Sequence, residues 1–394
     1  MLVHAPDSAT LPRIALLLPD LAGGGAERVV ALLAGEFAQR GYPVDLLLGR
    51  AEGPFRDAVS AAVNVHALVG RAWPRNAACL APAMVLGLRR YLARTNPAVL
   101  MSSITGANLV ACAVKFLSRS NVQLVIREAN TSANRRSALR TWACRRLYPQ
   151  ASAFIGNSMG VVEDLIRDLN VATDRVHLIH NPIDLDYLQR EAQSPSPHTW
   201  FDDGGPPVVL GMGRLTEQKG FDVLLSAMAE LTRRRPARLI VLGEGPEAES
   251  LRRQARALGI SHLTQFVGFQ VNPYSWLGRC DVFCLPSRWE GFPQTLVEAL
   301  ALGRRVVASD CHSGPREMLQ GGRYGLLVPV DEAEPLAEAI SWALDQPHDS
   351  AMQLARVEDF DLAAQAQKYL DPLLAGYIPQ SDVDPAQVVS EGRM

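Results

Sequence analysis

Two glutamates eight positions apart, Glu290 and Glu298, are the residues of this sequence whose types and spacing most clearly indicate chemistry. Glu290 lies in a loop rich in Gly and Pro that follows a strand-like run at residues 281–285. Glu298 lies inside an apolar, helix-like run at residues 295–302. Burying a carboxylate without a partner costs several kcal/mol, so a polar side chain or a ligand must meet Glu298.

The residues at the start of the helix-like run that carries Glu298 favour a ligand as its partner. Pro293 suits the first position of a helix, because its missing N–H is not needed there. The free amides of Gln294, Thr295 and Leu296 would then point out of the helix start, where anions and especially phosphates bind. Helical side chains lean towards the N-terminus, so Glu298 can reach hydroxyls of the same ligand. A phosphate flanked by hydroxyl groups describes a nucleotide-sugar.

Composition sets the limits for the whole chain. It has 394 residues, 48% of them hydrophobic and 20% charged, which is typical of a globular protein with room for two domains. The net charge of −2 argues against a general nucleic-acid binder. The six cysteines are scattered and form no zinc pattern, which favours structural thiols in a reducing cytoplasm. The uncharged stretch at residues 97–114 is interpreted as a strand followed by a helix, not as a membrane span.

Short apolar runs alternate with helical patterns along the chain, which predicts an α/β protein with two doubly wound parallel sheets. A segment rich in Pro, Ser and Gly separates the two series. The predicted organisation is a first Rossmann-like domain at 1–185, a linker at 186–207, a second Rossmann-like domain at 208–360, a helix at 361–378 that packs back towards the first domain, and a disordered tail at 379–394. Ligands bind such sheets at the carboxyl ends of their strands.

Two further loops are candidates for binding phosphate. Gly213 to Gly220 follows the first strand of the second domain and carries Arg214 and Lys219. Two cations there could neutralise a diphosphate leaving group, although two solvated loop cations would look the same. Gly24 and Gly25 belong to a run of three glycines that follows the first strand of the chain. Such a run permits close backbone approach to a ligand, but it also suits a flexible turn.

Charged residues at the same edge of the first domain are candidates for the second substrate. Arg127, Glu128 and Asn130 follow a buried strand, where they would line the cleft or form a surface ion pair. A neighbouring basic segment at 135–148 also carries Leu139 and Trp142. It suits an anionic membrane surface, and a solvated basic helix packed on the domain is the equal alternative.

Taken in order, the motifs resemble those of family 4 glycosyltransferases, the retaining type with the two-domain GT-B fold. The resemblance spans nearly the whole chain. The motifs are GGGAER at 23–28, REAN at 127–130, NPID at 181–184, GRLTEQKG at 213–220, WEGFPQTLVEALALG at 289–303, SGPRE at 313–317 and YGLLVP at 324–329. It implies a first domain that binds the acceptor and a second that binds the nucleotide-sugar.

The resemblance also implies roles. Glu290 would bind the donor sugar, Glu298 the ribose, and Arg214 with Lys219 the diphosphate, so the catalytic set is Glu290, Arg214 and Lys219. The remaining donor-binding residues would be Gly24, Gly25, Gly213, Gly291, Phe292, Pro293, Gln294 and Thr295. The acceptor side would comprise Arg127, Glu128 and Asn130. No metal and no cofactor is expected, because the nucleotide-sugar is a co-substrate and Arg and Lys neutralise its diphosphate.

The expected activity is transfer of a hexosyl unit, with retention, from a nucleoside diphosphate sugar (a UDP-sugar is preferred). The expected acceptor is a polyprenyl-linked or other saccharide in bacterial surface polysaccharide synthesis, handled at the inner face of the cell membrane. Two alternatives stay open at this point: a nucleotide-sugar epimerase on the same fold, and a non-catalytic protein that binds sugar nucleotides. A glycoside hydrolase also uses two carboxylates, but it would need neither the anion-binding helix start nor the two cations.

Overall fold

The protein contains two parallel sheets, as predicted. A computed structural model describes residues 11–21, 24–53, 55–56, 58–70, 77–118, 120–131, 138–347, 350–375 and 377. The first sheet has seven strands in the order β3-β2-β1-β4-β5-β6-β7, and the second has six in the order β10-β9-β8-β11-β12-β13. The predicted tail at 379–394, Gly23 of the glycine run, and Arg135 and Arg136 of the basic segment lie outside the described residues.

The strands occur where the apolar runs predict them, with ends that differ by one or two residues. In the first sheet they are β1 (Ile14–Leu18), β2 (Val44–Leu48), β3 (Asn64–Ala67), β4 (Val99–Ser103), β5 (Gln123–Glu128), β6 (Ala153–Gly156) and β7 (Val176–Leu178). In the second they are β8 (Val208–Met212), β9 (Arg238–Leu242), β10 (Thr264–Gly268), β11 (Val282–Leu285), β12 (Arg305–Ser309) and β13 (Leu326–Val328).

Helices connect these strands. They are α1 (Gly25–Gln39), α2 (Ala77–Thr95), α3 (Thr105–Ser118), α4 (Ala138–Leu147), α5 (Met159–Arg167), α6 (Leu185–Ala192), α7 (Phe221–Arg234), α8 (Ala248–Ala257), α9 (Tyr274–Leu277), α10 (Gln294–Ala301), α11 (Pro315–Met318), α12 (Ala333–Asp345), α13 (Ser350–Val357) and α14 (Leu362–Leu374). Each sheet with its helices is called a domain below, N-terminal for the first and C-terminal for the second.

The central strand β1 explains why its sequence is continuously apolar. Ala15 and Leu17 join one buried cluster, whereas Ile14, Leu16 and Leu18 join another. Successive side chains of a strand point to opposite faces, so both faces of this sheet are covered. A parallel sheet that is buried on both faces needs apolar residues at every position, and all five residues of β1 are fully buried.

The chain crosses between the domains twice. The first crossing follows β7, and the second precedes α14, which returns to the N-terminal domain. Tyr369, Leu370 and Leu373 of α14 belong to the same buried cluster as alternate residues of β1, beginning with Ile14. At the crossing itself, the amide of Ile183 donates a hydrogen bond of 2.8 Å to the carbonyl of Phe360. The two crossing segments are therefore tied to each other.

The uncharged stretch at 97–114 forms β4 and most of α3, as predicted. Its polar residues Ser102, Ser103 and Asn108 are buried. Among the described residues, no helix has both the length and the apolar character that crossing a membrane requires.

Candidate active site

Two helix starts from different domains meet in the cleft. A Cβ built on Gly25, the first residue of α1, would lie 3.6 Å from the Cβ of Gln294, the first residue of α10. Within the described part of the chain, no side chain caps either start. Each start carries a partial positive charge and backbone amides, so their convergence makes a place for an anion that neither domain makes alone.

The start of α10 differs from the expectation by one residue. Pro293 precedes the helix as its cap, and the helix begins at Gln294. The amide of Leu296 is not free for a ligand, because it donates to the carbonyl of Pro293 at 2.9 Å. The amides at Gln294 and Thr295 are the ones that a phosphate could use. The hydroxyl of Thr295 is buried without a hydrogen-bond partner, which adds a possible donor at the same place.

A Lys–Glu pair lies at the edge of the C-terminal domain. Nζ of Lys219 contacts Oε1 of Glu290 at 2.6 Å, and Glu290 is only 5% exposed. The loop that carries Lys219 ends at Gly220, whose φ of +62° and whose approach to the carbonyl of Pro286 leave no space for a side chain. Lys219 and Glu290 are 71 positions apart in the sequence and meet in the fold, while Arg214 on the same loop as Lys219 is exposed.

Glu298 is buried with few partners. It is 5% exposed, accepts a hydrogen bond from Oη of Tyr274 at 3.2 Å, and lies 4.0 Å from Nη1 of Arg28. Burial raises the pKa of Glu298 to about 7, and the nearby Arg28 opposes that rise. Its carboxylate therefore keeps free hydrogen-bonding capacity beside the anion site, as a hydroxyl-binding group requires.

The glycines and the phenylalanine of the predicted donor set lie in closely packed surroundings. A side chain at Gly24 would collide with the carboxylate of Glu27, and one at Gly291 would lie 2.1 Å from the carbonyl of Ala129 in the other domain. The ring of Phe292 packs against Phe360 and His180, with ring centres 5.6 Å and 5.9 Å apart. Gly213 is half-buried below the Lys219 side chain.

Arg127 and Glu128 do not line the cleft, contrary to the expectation from the sequence. Arg127 is fully buried, and its guanidinium donates to Tyr369 at 3.0 Å, to Ser103 at 2.8 Å and to Asn181. Both residues still belong to β5, so their side chains point to opposite faces of the sheet instead of off its end.

Glu128 is enclosed on the other face. It is 1% exposed and accepts hydrogen bonds from Thr105 at 3.2 Å, from Asn108 at 3.1 Å and from Tyr148. Of the three predicted acceptor-side residues, only Asn130 is partly exposed. Its Cα would lie 3.2 Å from a Cβ on Gly291, which places it directly beside the donor loop.

Gln294 connects the site to the crossing between the domains. Its Oε1 accepts from Nδ2 of Asn181 at 3.2 Å, and its Nε2 donates to the carbonyl of Pro182 at 3.2 Å. Asn181 in turn accepts from Arg127. A chain of hydrogen bonds therefore runs from the buried Arg127 to the first residue of α10. The side chain of Gln294 is held by these bonds, which leaves its backbone amide at the helix start for a ligand.

A second contact between the domains joins the SGPRE motif to residues that the sequence did not single out. Oε2 of Glu317 accepts from the amide of Met159 at 2.9 Å, and its Oε1 contacts Nε2 of His180 at 2.6 Å. Ser158 and Ser313 are joined by a hydrogen bond of 2.8 Å. Glu317 and Ser313 belong to the SGPRE motif, but nothing in the sequence indicates that His180 is their partner.

Comparisons with known proteins fit this geometry. Residues 23–187 match the family described as Glycosyltransferase Family 4, and residues 197–357 match the family described as Glycosyl transferases group 1. This chain belongs to the family 4 glycosyltransferases. The two matched ranges correspond to the two domains of the fold. The second range includes all of Arg214, Lys219, Glu290 and Glu298.

Individual relatives agree with the family assignment. The N-acetylgalactosamine-N,N'-diacetylbacillosaminyl-diphospho-undecaprenol 4-alpha-N-acetylgalactosaminyltransferase of Campylobacter jejuni is 26% identical over 384 residues, which is 91% of this chain and 100% of the relative. The lipopolysaccharide core biosynthesis glycosyltransferase LpsE of Rhizobium meliloti is 37% identical over 134 residues, which is 34% of this chain and 38% of the relative.

The fold of this glycosyltransferase also has close counterparts among solved structures. The crystal structure of Anabaena Alr3699/HepE in complex with UDP-glucose has a TM-score of 0.79 at 20% sequence identity, over 92% of this chain and 100% of that chain. At this identity the similarity shows the GT-B fold alone. Among the residues that the structure describes, no three His, Cys, Asp or Glu side chains form a group suited to a metal ion.

Proposed function

We propose that this family 4 glycosyltransferase transfers a hexosyl unit, with retention, from a UDP-sugar to a hydroxyl of a lipid-linked saccharide. The observation that carries the proposal is the convergence of the α1 and α10 starts beside Glu298 and the Lys219–Glu290 pair. A diphosphate fits between the helix starts, a ribose fits at Glu298, and a sugar fits at Glu290. An ordinary anion site would have no use for the two carboxylates.

The residues divide the chemical work. The bond from the sugar C1 to the departing phosphate oxygen breaks, and a bond from C1 to the acceptor oxygen forms on the same face. The proton of the acceptor hydroxyl passes to the departing phosphate oxygen, so no nucleophile of the enzyme is needed. Lys219 and Arg214, with the amides at Gln294 and Thr295, stabilise the charge that develops on the leaving diphosphate.

Lys219 enters the reaction already paired with Glu290 at 2.6 Å. A donor would place its sugar hydroxyls on Glu290 and its phosphate near Lys219. The single contact between Lys219 and Glu290 would then be replaced by two contacts to the donor. Because these cations can balance the diphosphate, we propose that no metal is required. Activity that survives a chelator such as EDTA would support this point, and activity that returns only on addition of Mg²⁺ or Mn²⁺ would contradict it.

The choice of donor and acceptor rests on relatives. The Anabaena protein was crystallised with UDP-glucose, and the Campylobacter enzyme is named for a saccharide on diphospho-undecaprenol. We propose a UDP-sugar and a polyprenyl-linked acceptor on this basis, and a role in bacterial surface polysaccharide synthesis. The partly exposed Asn130, next to the donor loop at Gly291, is the proposed contact for the acceptor.

The surface of α4 supports work at a membrane, on its cytoplasmic face. Leu139 and Trp142 are 72% and 63% exposed, and Arg140 and Arg146 are exposed on the same helix. Tyr148, the last residue of the basic segment, is buried in the core and takes no part in this surface. Apolar side chains among arginines are typical of helices that lie on anionic lipid. Flotation with anionic vesicles, and its loss in Trp142→Ser, would test this.

The first experiment is a binding screen against UDP-, GDP- and ADP-sugars by saturation-transfer NMR, followed by turnover with the donor that binds. Glu298→Gln should abolish binding, whereas Glu334→Gln, an exposed carboxylate 69% accessible on α12, should leave it intact. The anomeric configuration of the product is then read by NMR. An inverted product would exclude the proposed course, and release of an epimerised sugar nucleotide without acceptor would indicate an epimerase.

A further inference from the structure

Arg28 reaches from the N-terminal domain to the predicted ribose carboxylate. It lies on the first turn of α1, and its Nη1 is 4.0 Å from Oε1 of Glu298 on α10. Its guanidinium stacks 4.8 Å from the ring centre of Tyr274 and 5.3 Å from that of Tyr187. Only 18% of its side chain is exposed, so its position is set by packing.

We propose that Arg28 is a positioning residue that favours the charged, hydroxyl-accepting form of Glu298 and so strengthens donor binding. The inference rests on the proposed function, and it adds a residue to which neither the family matches nor the motifs assign a role. Arg28 acts through Glu298 and is not proposed to touch the sugar being transferred.

The charge of Glu298 needs this support. The carboxylate is buried and accepts one hydrogen bond from Tyr274, at the long distance of 3.2 Å. The groups that face it are Arg28 from α1 and Tyr274 from α9, with Asp184 and Tyr187 from the region of α6 across a small cavity. Burial raises the pKa of Glu298 to about 7, and Arg28 is the cation that opposes this rise.

Ionisation matters because of what a ribose offers. A carboxylate is an acceptor at both oxygens and can take two neighbouring hydroxyl groups, whereas a protonated carboxyl donates from one of them. Arg28 and Glu298 belong to different domains, so this support of the charged form comes from outside the domain that carries the carboxylate.

The test compares Arg28→Gln with Arg28→Lys, using UDP-glucose or the donor selected in the screen, from about pH 6 to about pH 8.5. Loss of an opposite charge at this distance raises a carboxyl pKa by about one unit. Arg28→Gln should therefore bind about fivefold more weakly at pH 7 and within about 1.5-fold of the original protein at pH 8.5. In Arg28→Lys the midpoint of the pH dependence of binding should return most of the way to that of the original protein. The matched control is Arg233→Gln, because Arg233 is exposed on α7.

A second measurement does not depend on the donor. The carboxyl signal of Glu298 can be titrated by NMR in protein labelled at the Glu side chains, with Glu298→Gln used for assignment. No upward shift of the midpoint in Arg28→Gln, or a weakening of binding that is equal at every pH, would overturn the inference and leave Arg28 a packing residue. Failure of the original protein to bind any sugar nucleotide would instead overturn the proposed function, while the titration still decides whether Arg28 keeps Glu298 charged.

Discussion

Both domains place charged residues near the carboxyl ends of their parallel strands, and use them in opposite ways. In the C-terminal domain these residues lie in the loops and helix that follow the strands, whereas in the N-terminal domain they are the last residues of β5. On the cleft side of the C-terminal domain, called the first edge below, hydrogen-bonding capacity remains available at Lys219, Glu290 and Glu298. On the cleft side of the N-terminal domain, called the second edge below, Arg127 and Glu128 make their hydrogen bonds to other residues inside the fold. The comparison teaches that a charge after an apolar strand indicates a site only where the surrounding residues leave it incompletely paired.

The energetic consequence is a division between activity and stability. An incompletely paired buried carboxylate such as Glu298 costs stability, which functional sites commonly accept. A buried group with full hydrogen bonding, such as Arg127, stabilises the fold, and its removal leaves its partners unsatisfied. Substitutions at the first edge should therefore reduce activity with little loss of stability, and those at the second should do the reverse.

The largest expected effect is on turnover at the first edge. Glu290→Gln keeps the size of the side chain but removes the charge that pairs with Lys219 at 2.6 Å. We expect kcat to fall about a hundred- to a thousandfold, as for the loss of one group that stabilises a transition state. The melting temperature, measured by circular dichroism, should change little. A large drop in melting temperature would mean that the pair is structural, and the comparison would then fail.

Glu298 should show the stability cost directly. Its pKa of about 7 in the folded protein lies above the ordinary value of 4.5, so folding favours its protonated form. That stabilisation is fully present below the unfolded pKa and is lost as pH rises through about 7. Between about pH 5.5 and pH 8.5 the original protein should lose roughly 2 kcal/mol of unfolding free energy relative to Glu298→Gln.

Urea denaturation of both proteins at the two pH values measures this difference. The exposed Glu334→Gln serves as the control, because its carboxylate on the surface of α12 is 69% exposed. A constant difference between Glu298→Gln and the original protein at both pH values would show that Glu298 stays ionised throughout, which would contradict the assignment of an incompletely paired carboxylate.

Substitution of Arg127, at the second edge, should lower the stability of the fold. Arg127→Met removes three hydrogen bonds and leaves Tyr369, Ser103 and Asn181 without their donor. We expect a loss of roughly 1–3 kcal/mol in the free energy of unfolding, measured in urea. Stability equal to that of the original protein, together with loss of acceptor binding, would instead return Arg127 to the acceptor site and remove the contrast between the two edges.

The smallest effect concerns the place where the two edges touch. Gly291→Ala adds a Cβ that would lie 2.1 Å from the carbonyl of Ala129, so the donor loop and the second edge must separate. We expect about tenfold lower kcat with an unchanged free energy of unfolding, because reacting groups lose their alignment. Gly106→Ala, where a Cβ meets open space, is the control. Full activity in Gly291→Ala would show that this approach is not needed for catalysis.

The predictable part of the site is the part that lies close together in sequence. The spacing of Glu290, Pro293 and Glu298 predicts a helix start with a carboxylate one turn inside, and α10 begins within one residue of the predicted position. The pairing of Lys219 with Glu290 follows because both loops leave the same edge of one sheet. Such inferences succeed because strand direction and helix pitch fix where neighbouring residues must lie.

The remaining part depends on contacts between distant segments. Arg28 and Glu298 are on different domains, as are His180 and Glu317, and no local pattern relates the members of either pair. The burial of Arg127 depends on Tyr369, more than two hundred positions away on a helix that returns from the other domain. Exposure at such a position cannot be inferred from the strand that carries it.

The sequence by itself determined the two parallel sheets and the family, because these follow from hydrophobic periodicity and from the residue spacing within single motifs. Tertiary structure alone decided which charges remain available to a ligand. That outcome is set by which side chains approach from other elements, and the cost of burying an unpaired charge makes those partners, rather than the residue's own neighbours in sequence, the deciding factor.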